Sequence, residues 1–216
     1  MWLVVGLGNP GREYAGNRHN IGFEVVAQLA TRAKASSLRE KFGAELGEAT
    51  IRGQRALLCR PMEFMNASGL PVARVAKFWK IAPDETIVVH DDLDIPFGRL
   101  KLGAGGGHGG NNGVRSLIAD LGTPDFLRVR FGIGRPAPGG DAADYVLTDF
   151  SRAEQKELPD LRSLAADAVE EIIASGLTPA MNRFNTKKPD KTNDNKTDSK
   201  TEKTNDKKPV RSGDAQ

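Results

Sequence analysis

The chain has 216 residues, enough for one ordinary domain and not comfortably enough for two. Its 31 Lys and Arg against 28 Asp and Glu give a net charge of +3, all of it in residues 186–216, where nine basic side chains meet six acidic ones. Residues 1–185 are neutral, so the overall charge gives no argument that the body binds nucleic acid; a local patch is needed for that.

Trp2-Leu3-Val4-Val5 is a short apolar run ended by Gly6-Leu7-Gly8-Asn9-Pro10-Gly11, which predicts a buried strand feeding a glycine loop. This opening lacks the form of a signal peptide, and no run nears the roughly 20 apolar residues of a membrane span. A soluble, cytoplasmic chain is expected. Asn20 is placed to cap a helix carrying Phe23, Val26, Ala27 and Ala30 at helical spacing. Segments 43–51 and 55–60 predict strands. The single cysteine, Cys59, lies in the second of these and is expected to be a buried core residue. Ser68 is a second candidate cap, and Pro71 fits the first helical turn, where a missing N–H costs nothing. Val72, Val75, Ala76 and Trp79 then form an apolar stripe.

Ile87-Val88-Val89 predicts another buried strand, ending in His90-Asp91-Asp92-Leu93-Asp94. Arg99 to Leu102 alternates as a half-exposed strand does. A glycine loop spans 103–110, a helix about 112–121, and Leu127 to Phe131 alternates again. Ser151 and Glu154 make a capping box. Pro159 is expected to interrupt that helix early, before Leu161, Leu164, Ala168, Ile172 and Ile173 carry it to a C-cap at Gly176. Thr178-Pro179 starts a last short helix. Strands interleave with helices, so the class is α/β: one domain over 1–185, with a mixed sheet and a partly exposed edge. From Thr186 to Gln216 the only aliphatic side chains are Val210 and Ala215. That is too little apolar surface to offset the entropy of ordering, and a disordered charged tail is predicted.

Gly6, Gly8 and Gly11 match the dinucleotide-binding pattern G-x-G-x-x-G, but Pro10 sits inside it and no helix follows directly. These glycines are read as a sharp turn presenting Asn9. His19 lies in a polar loop just before a helix, where chemistry tends to sit. Were Asp91 close by, it would hold the imidazole in one tautomer and strengthen it as a base for activating water. The cluster Asp91, Asp92, Asp94 has a rival meaning as a Mg²⁺ site for phosphoryl transfer. Neighbouring strand residues point apart, however, so Asp92 and Asp94 are read as turn-forming. The glycine loop suits a mobile lid or close approach of substrate to backbone. His108 within it is expected to be conformational, and His90 a buried strand residue. Arg99 with Lys101, and Arg128 with Arg130, could form a phosphate-contacting patch. No G-x-S-x-G or H-E-x-x-H is present, which disfavours serine and zinc hydrolases. A hydrolase that activates water with His19, a metal-dependent nuclease and a non-catalytic RNA-binding module are the readings these residues leave open.

The segments GLGNPGREYAGNRHNIGF (6–23), RPMEFMNASG (60–69), HDDLDIPFGRLKL (90–102), GGGHGGNNGVRSLI (105–118), FLRVRFGIGRP (126–136) and GLTPAMNRFN (176–185) together resemble bacterial peptidyl-tRNA hydrolase. The likeness runs in register over nearly all of residues 1–185. It implies a single domain with a twisted mixed sheet flanked by helices, acting as a monomer on peptidyl-tRNA, with no cofactor, no metal and no membrane. It implies His19 as the base, Asp91 as the carboxylate that stabilises its active form, and Asn9 in telling a blocked peptidyl group from a free aminoacyl one. Tyr14, Phe64, Asn66 and Asn112 would bind the peptidyl-tRNA end, and Lys101 and Arg130 the tRNA backbone. One departure is Asn111, where many members carry His.

Overall fold

Leu3, Val4 and Val5 are all fully buried, which marks the first strand, β1 (Trp2–Gly6), as central and covered on both faces. The structure, a computed structural model, describes residues 1–185; the expected tail at 186–216 lies outside the described residues. After β1 come helix α1 (Ile21–Arg32), strands β2 (Arg39–Lys41), β3 (Ala44–Ile51) and β4 (Gln54–Pro61), and helix α2 (Gly69–Trp79). Strands β5 (Thr86–Asp92) and β6 (Leu100–Ala104) follow, then α3 (Asn112–Leu121) and β7 (Leu127–Gly132). Three helices close the described chain: α4 (Ala142–Val146), α5 (Arg152–Ser175) and α6 (Leu177–Phe184).

The seven strands form one sheet in the order β2-β3-β4-β1-β5-β7-β6. The inner four, β4, β1, β5 and β7, are parallel; β3 and β6 pair antiparallel at the two sides, and β2 extends β3 as a hairpin. The expected mixed α/β sheet is therefore present. Alternate residues of β1 feed two separate cores. Val4 joins α1, α5 and α6 on one face, while Leu3 and Val5 join α2 and α3 on the other. Each fully buried aliphatic side chain contributes about 1.5–3 kcal/mol relative to exposure.

Several elements differ from the sequence reading. Pro159 does not interrupt α5, which runs unbroken for 24 residues. The ring sits on the exposed face, and the lost hydrogen bond is offset by the buried stripe from Leu158 to Ile173. Leu164, expected in that stripe, is exposed, as is Ala27 on α1. Strand β2 has three exposed polar residues and no apolar pattern; only its pairing with β3 forms it. Neither Asn20 nor Ser68 caps its helix through the side chain. Ser68 donates instead to the Met65 carbonyl at 3.0 Å.

Helix α1 packs on β1 at backbone contact. A Cβ on Gly22 would overlap the backbone of Leu7 and the carbonyl of Val89; one on Gly6 would overlap the Gly22 carbonyl. This facing pair of glycines sets how close the start of α1 comes to the ends of β1 and β5. Gly22→Ala should accordingly lower stability by about 3 kcal/mol, read from the urea midpoint. Gly103→Ala, with open space around the site, should stay within about 0.5 kcal/mol.

Candidate active site

A cleft of about 600 Å³ opens over the carboxyl ends of β1 and β5, where open α/β sheets tend to bind ligands. Its walls bring together Asn9, Tyr14, His19, Phe64, Asn66, Asp91 and Asn112. All seven of these sequence-predicted residues, drawn from four separate segments, thus share one cavity. Lys101 and Arg130 lie outside it. They face each other across the β6–β7 ladder at the sheet edge.

His19 sits in a single 3₁₀ turn, Arg18–Asn20, wedged between the end of β1 and the start of α1. Its Nδ1 is 2.8 Å from Oδ1 of Asp91, and both side chains are buried. A proton on Nδ1 donated to the carboxylate leaves Nε2 with its lone pair free for the cleft. The turn is anchored by the residue before it. Arg18 is buried and donates to Oγ1 of Thr148 and Oε2 of Glu154, each at 2.7 Å, and to the Asp149 carbonyl. Its guanidinium stacks 4.4 Å from the centre of the Tyr145 ring. Those partners belong to the segment that supplies Ala142, Ala143, Val146 and Leu147 to the cleft wall.

Asn9 is held at three points. Asn20 Oδ1 accepts the Asn9 N–H at 2.8 Å, and Asn20 Nδ2 donates to the Asn9 carbonyl at 2.9 Å. Oδ1 of Asn9 accepts the N–H of Met65 at 2.7 Å, so the flip of this amide is fixed. Nδ2 of Asn9 is what remains for the cleft. By contrast, Asn66 and Asn112 are exposed, and neither side chain hydrogen-bonds among the described residues. Tyr14 and Phe64 meet edge to face, 6.3 Å between centres, at the rim.

The three aspartates do not converge. Asp91 faces His19, Asp92 pairs with Arg130 at 2.7 Å, and Asp94 pairs with Arg135 at 2.9 Å. Among the described residues no group of three or more His, Cys, Asp or Glu side chains is placed to hold a metal. Arg128 is not part of an exposed patch. It is buried and donates to the carbonyls of Gly107 (2.6 Å) and Gly106 (2.8 Å), pinning part of the glycine loop expected to be a mobile lid or a place of close substrate approach; Gly109 and Gly110 of that loop line the cleft. His108 accepts the Gly110 N–H at 3.1 Å, a conformational role as expected. Burial pushes the Cys59 thiol up to about 12, so it stays neutral in the core.

The sequence model of the family described as peptidyl-tRNA hydrolase matches residues 3–192. The chain belongs to the peptidyl-tRNA hydrolase family. It is 56% identical over 183 residues to the peptidyl-tRNA hydrolase of Frankia alni, a match covering 85% of this chain and 93% of that one. The peptidyl-tRNA hydrolase of Sorangium cellulosum is 50% identical over 189 residues, covering 87% and 85%. Among solved structures, peptidyl-tRNA hydrolase from Acinetobacter baumannii superposes with a TM-score of 0.79 at 38% identity, covering 86% of this chain and 94% of that one. Among the described residues no helix is long and apolar enough to cross a membrane.

Beyond the residues that family resemblance suggested, the cleft depends on Asn20, Met65, Asn111 and Arg18. Asn20 was read as a helix cap, and only the fold shows its amide turned onto Asn9. The Met65 contribution is a backbone N–H, which no side-chain pattern reveals. Asn111 stands where a helix N-cap belongs, a signal the sequence does carry.

One buried group beside the site sets a pH dependence. His90 is 3% exposed; its Nδ1 lies 2.7 Å from the Asp91 carbonyl, and its Nε2 is buried without a partner among the described residues. Burial holds this imidazole below its ordinary range, with only partial compensation from Asp91. The unfolded chain therefore takes up a proton near pH 6.5 that the folded chain refuses, and stability falls as pH drops below that value. The difference in unfolding free energy between His90→Met and the parent chain should change by about 1.4 kcal/mol per pH unit below pH 6.5, in favour of His90→Met at low pH.

Proposed function

We propose that this chain hydrolyses the ester between a peptide and the 3′ end of tRNA, with His19 as general base and Asp91 as its orienting carboxylate. The observation that carries the reading is the 2.8 Å contact of His19 Nδ1 with a buried carboxylate at the floor of a cleft walled by carboxamides. His19 Nε2 takes a proton from water as the oxygen attacks the ester carbonyl. Asp91 holds the ring in the tautomer that can accept that proton and stabilises the imidazolium that forms, the role a buried aspartate plays in hydrolytic triads. Collapse of the tetrahedral intermediate returns the proton to the departing 3′ oxygen of the tRNA.

The amides fit the rest of the task. Asn9 has its oxygen engaged and offers only N–H groups. Such a donor bonds an acyl carbonyl and opposes a free ammonium, which favours a blocked peptidyl group over an aminoacyl one. Asn66 and Asn112 keep both donor and acceptor for the peptidyl end, and can meet the developing oxyanion without adding charge. Tyr14 and Phe64 offer a ring surface at the rim for stacking. Lys101, exposed beside Arg130, suits phosphate contact away from the chemistry. All these residues come from residues 1–185 of one chain, so a monomer suffices, and the substrate places the enzyme in the cytoplasm with the translation machinery.

Hydrolysis of N-acetyl-aminoacyl-tRNA tests the assignment. His19→Ala should lower kcat by about 10³-fold with the thermal midpoint little changed. Asp91→Asn should cost less than removal of His19, because the base remains. Chelation should leave the rate unchanged; a chain silenced by chelator and restored by Mg²⁺ would be a metal-dependent phosphoesterase instead.

A further inference from the structure

Asn111 is buried between the glycine loop and α3, and both ends of its amide are used. Its Oδ1 accepts the backbone N–H groups of Gly113 at 3.0 Å and Val114 at 3.1 Å, capping α3. That fixes the flip of the amide and turns Nδ2 toward β5, where it donates to Asp91 Oδ1 at 3.0 Å. His19 Nδ1 meets the same oxygen at 2.8 Å. One carboxylate oxygen therefore holds the imidazole and the carboxamide together.

We propose that Asn111 is a positioning residue for the hydrolysis, orienting the Asp91 carboxylate toward His19 and tying it to the first turn of α3. The inference rests on the reading of His19 as the base. Asp91 is buried and largely cut off from water, so its negative charge is supported by the donors that reach it. A lysine or arginine at this place would compete with His19 for the carboxylate and cancel part of its field. An imidazole would bring a second titrating group beside it. A carboxamide supplies the donor with no charge and no titration across the working pH range, while its oxygen anchors the donor to a helix.

The test is steady-state hydrolysis of N-acetylphenylalanyl-tRNA by the full chain carrying Asn111→Asp or Asn111→Ser, beside His19→Ala. Both substitutions at 111 keep an oxygen able to cap α3; the serine hydroxyl is too short to reach Asp91, and the aspartate, when ionised, offers it no donor. The expected result is a loss of kcat of about ten-fold or more with KM within about two-fold and the thermal midpoint within a few degrees. In Asn111→Asp the added charge favours the protonated imidazole, so the acid limb of the kcat–pH profile should also move to higher pH by about half a unit or more; in Asn111→Ser it should stay put. Parental kcat in both variants, or a loss that only follows a drop in thermal midpoint, overturns the proposal while an inactive His19→Ala leaves the base assignment standing. An active His19→Ala overturns both. Should Asn111→Asp fail to fold, the split of kcat against KM in Asn111→Ser decides.

Discussion

Everything in the cleft is arranged around the contact of one imidazole with one carboxylate, and that contact is a packing problem before it is a chemical one. His19 belongs to the entry of a helix and Asp91 to the end of a strand. They meet only because α1 lies on β1 and β5 at backbone distance, which Gly6 and Gly22 permit by having no side chains. Once the two elements are seated, the buried histidine and aspartate have few other partners to choose. The sheet order places β1 and β5 side by side, so the loop after β1 and the end of β5 open onto the same cavity.

The carboxamides around this pair fall into two kinds. Asn9, Asn20 and Asn111 are buried, and each carries internal hydrogen bonds that fix its orientation. Asn66 and Asn112 are exposed on the cleft wall. A buried amide left unpaired would cost about 1–3 kcal/mol, so the first kind must be satisfied by the protein; the second is solvated until a ligand arrives. The division separates the framework of the site from its binding surface. It also explains why asparagine recurs here: it supplies donor and acceptor together without disturbing the charge on Asp91.

Much of this was legible in the sequence. The glycine-flanked strand, the His19 loop, the aspartates closing β5 and the capping box of α5 all have local signatures. Residue roles that depend on distant partners do not. Nothing around Asn20 says that its amide grips Asn9, eleven residues upstream, because a cap position and a clamp position look alike in one dimension. The alternation of Arg128 and Arg130 suggested a common outward face. Arg128 is instead drawn inward by two loop carbonyls, while Arg130 stays half-buried at the sheet edge, paired with Asp92. Pro159 was expected to break its helix because propensity is local, whereas the stripe that holds α5 together is a property of the whole fold.

Arg18 has a consequence for how this cavity can change shape. The residue beside the imidazole is clamped onto Thr148, Asp149 and Glu154, and the chain just before them forms one wall of the cleft. Loops that border a pocket usually tolerate insertion and drift. This one is shackled to the reactive centre through a buried cation, so widening the pocket from that side would drag the base out of register with its carboxylate. Room for bulkier substrates is easier to find at Phe64, which lines the same cleft, is 59% exposed and has no hydrogen bond to the His19–Asp91 pair.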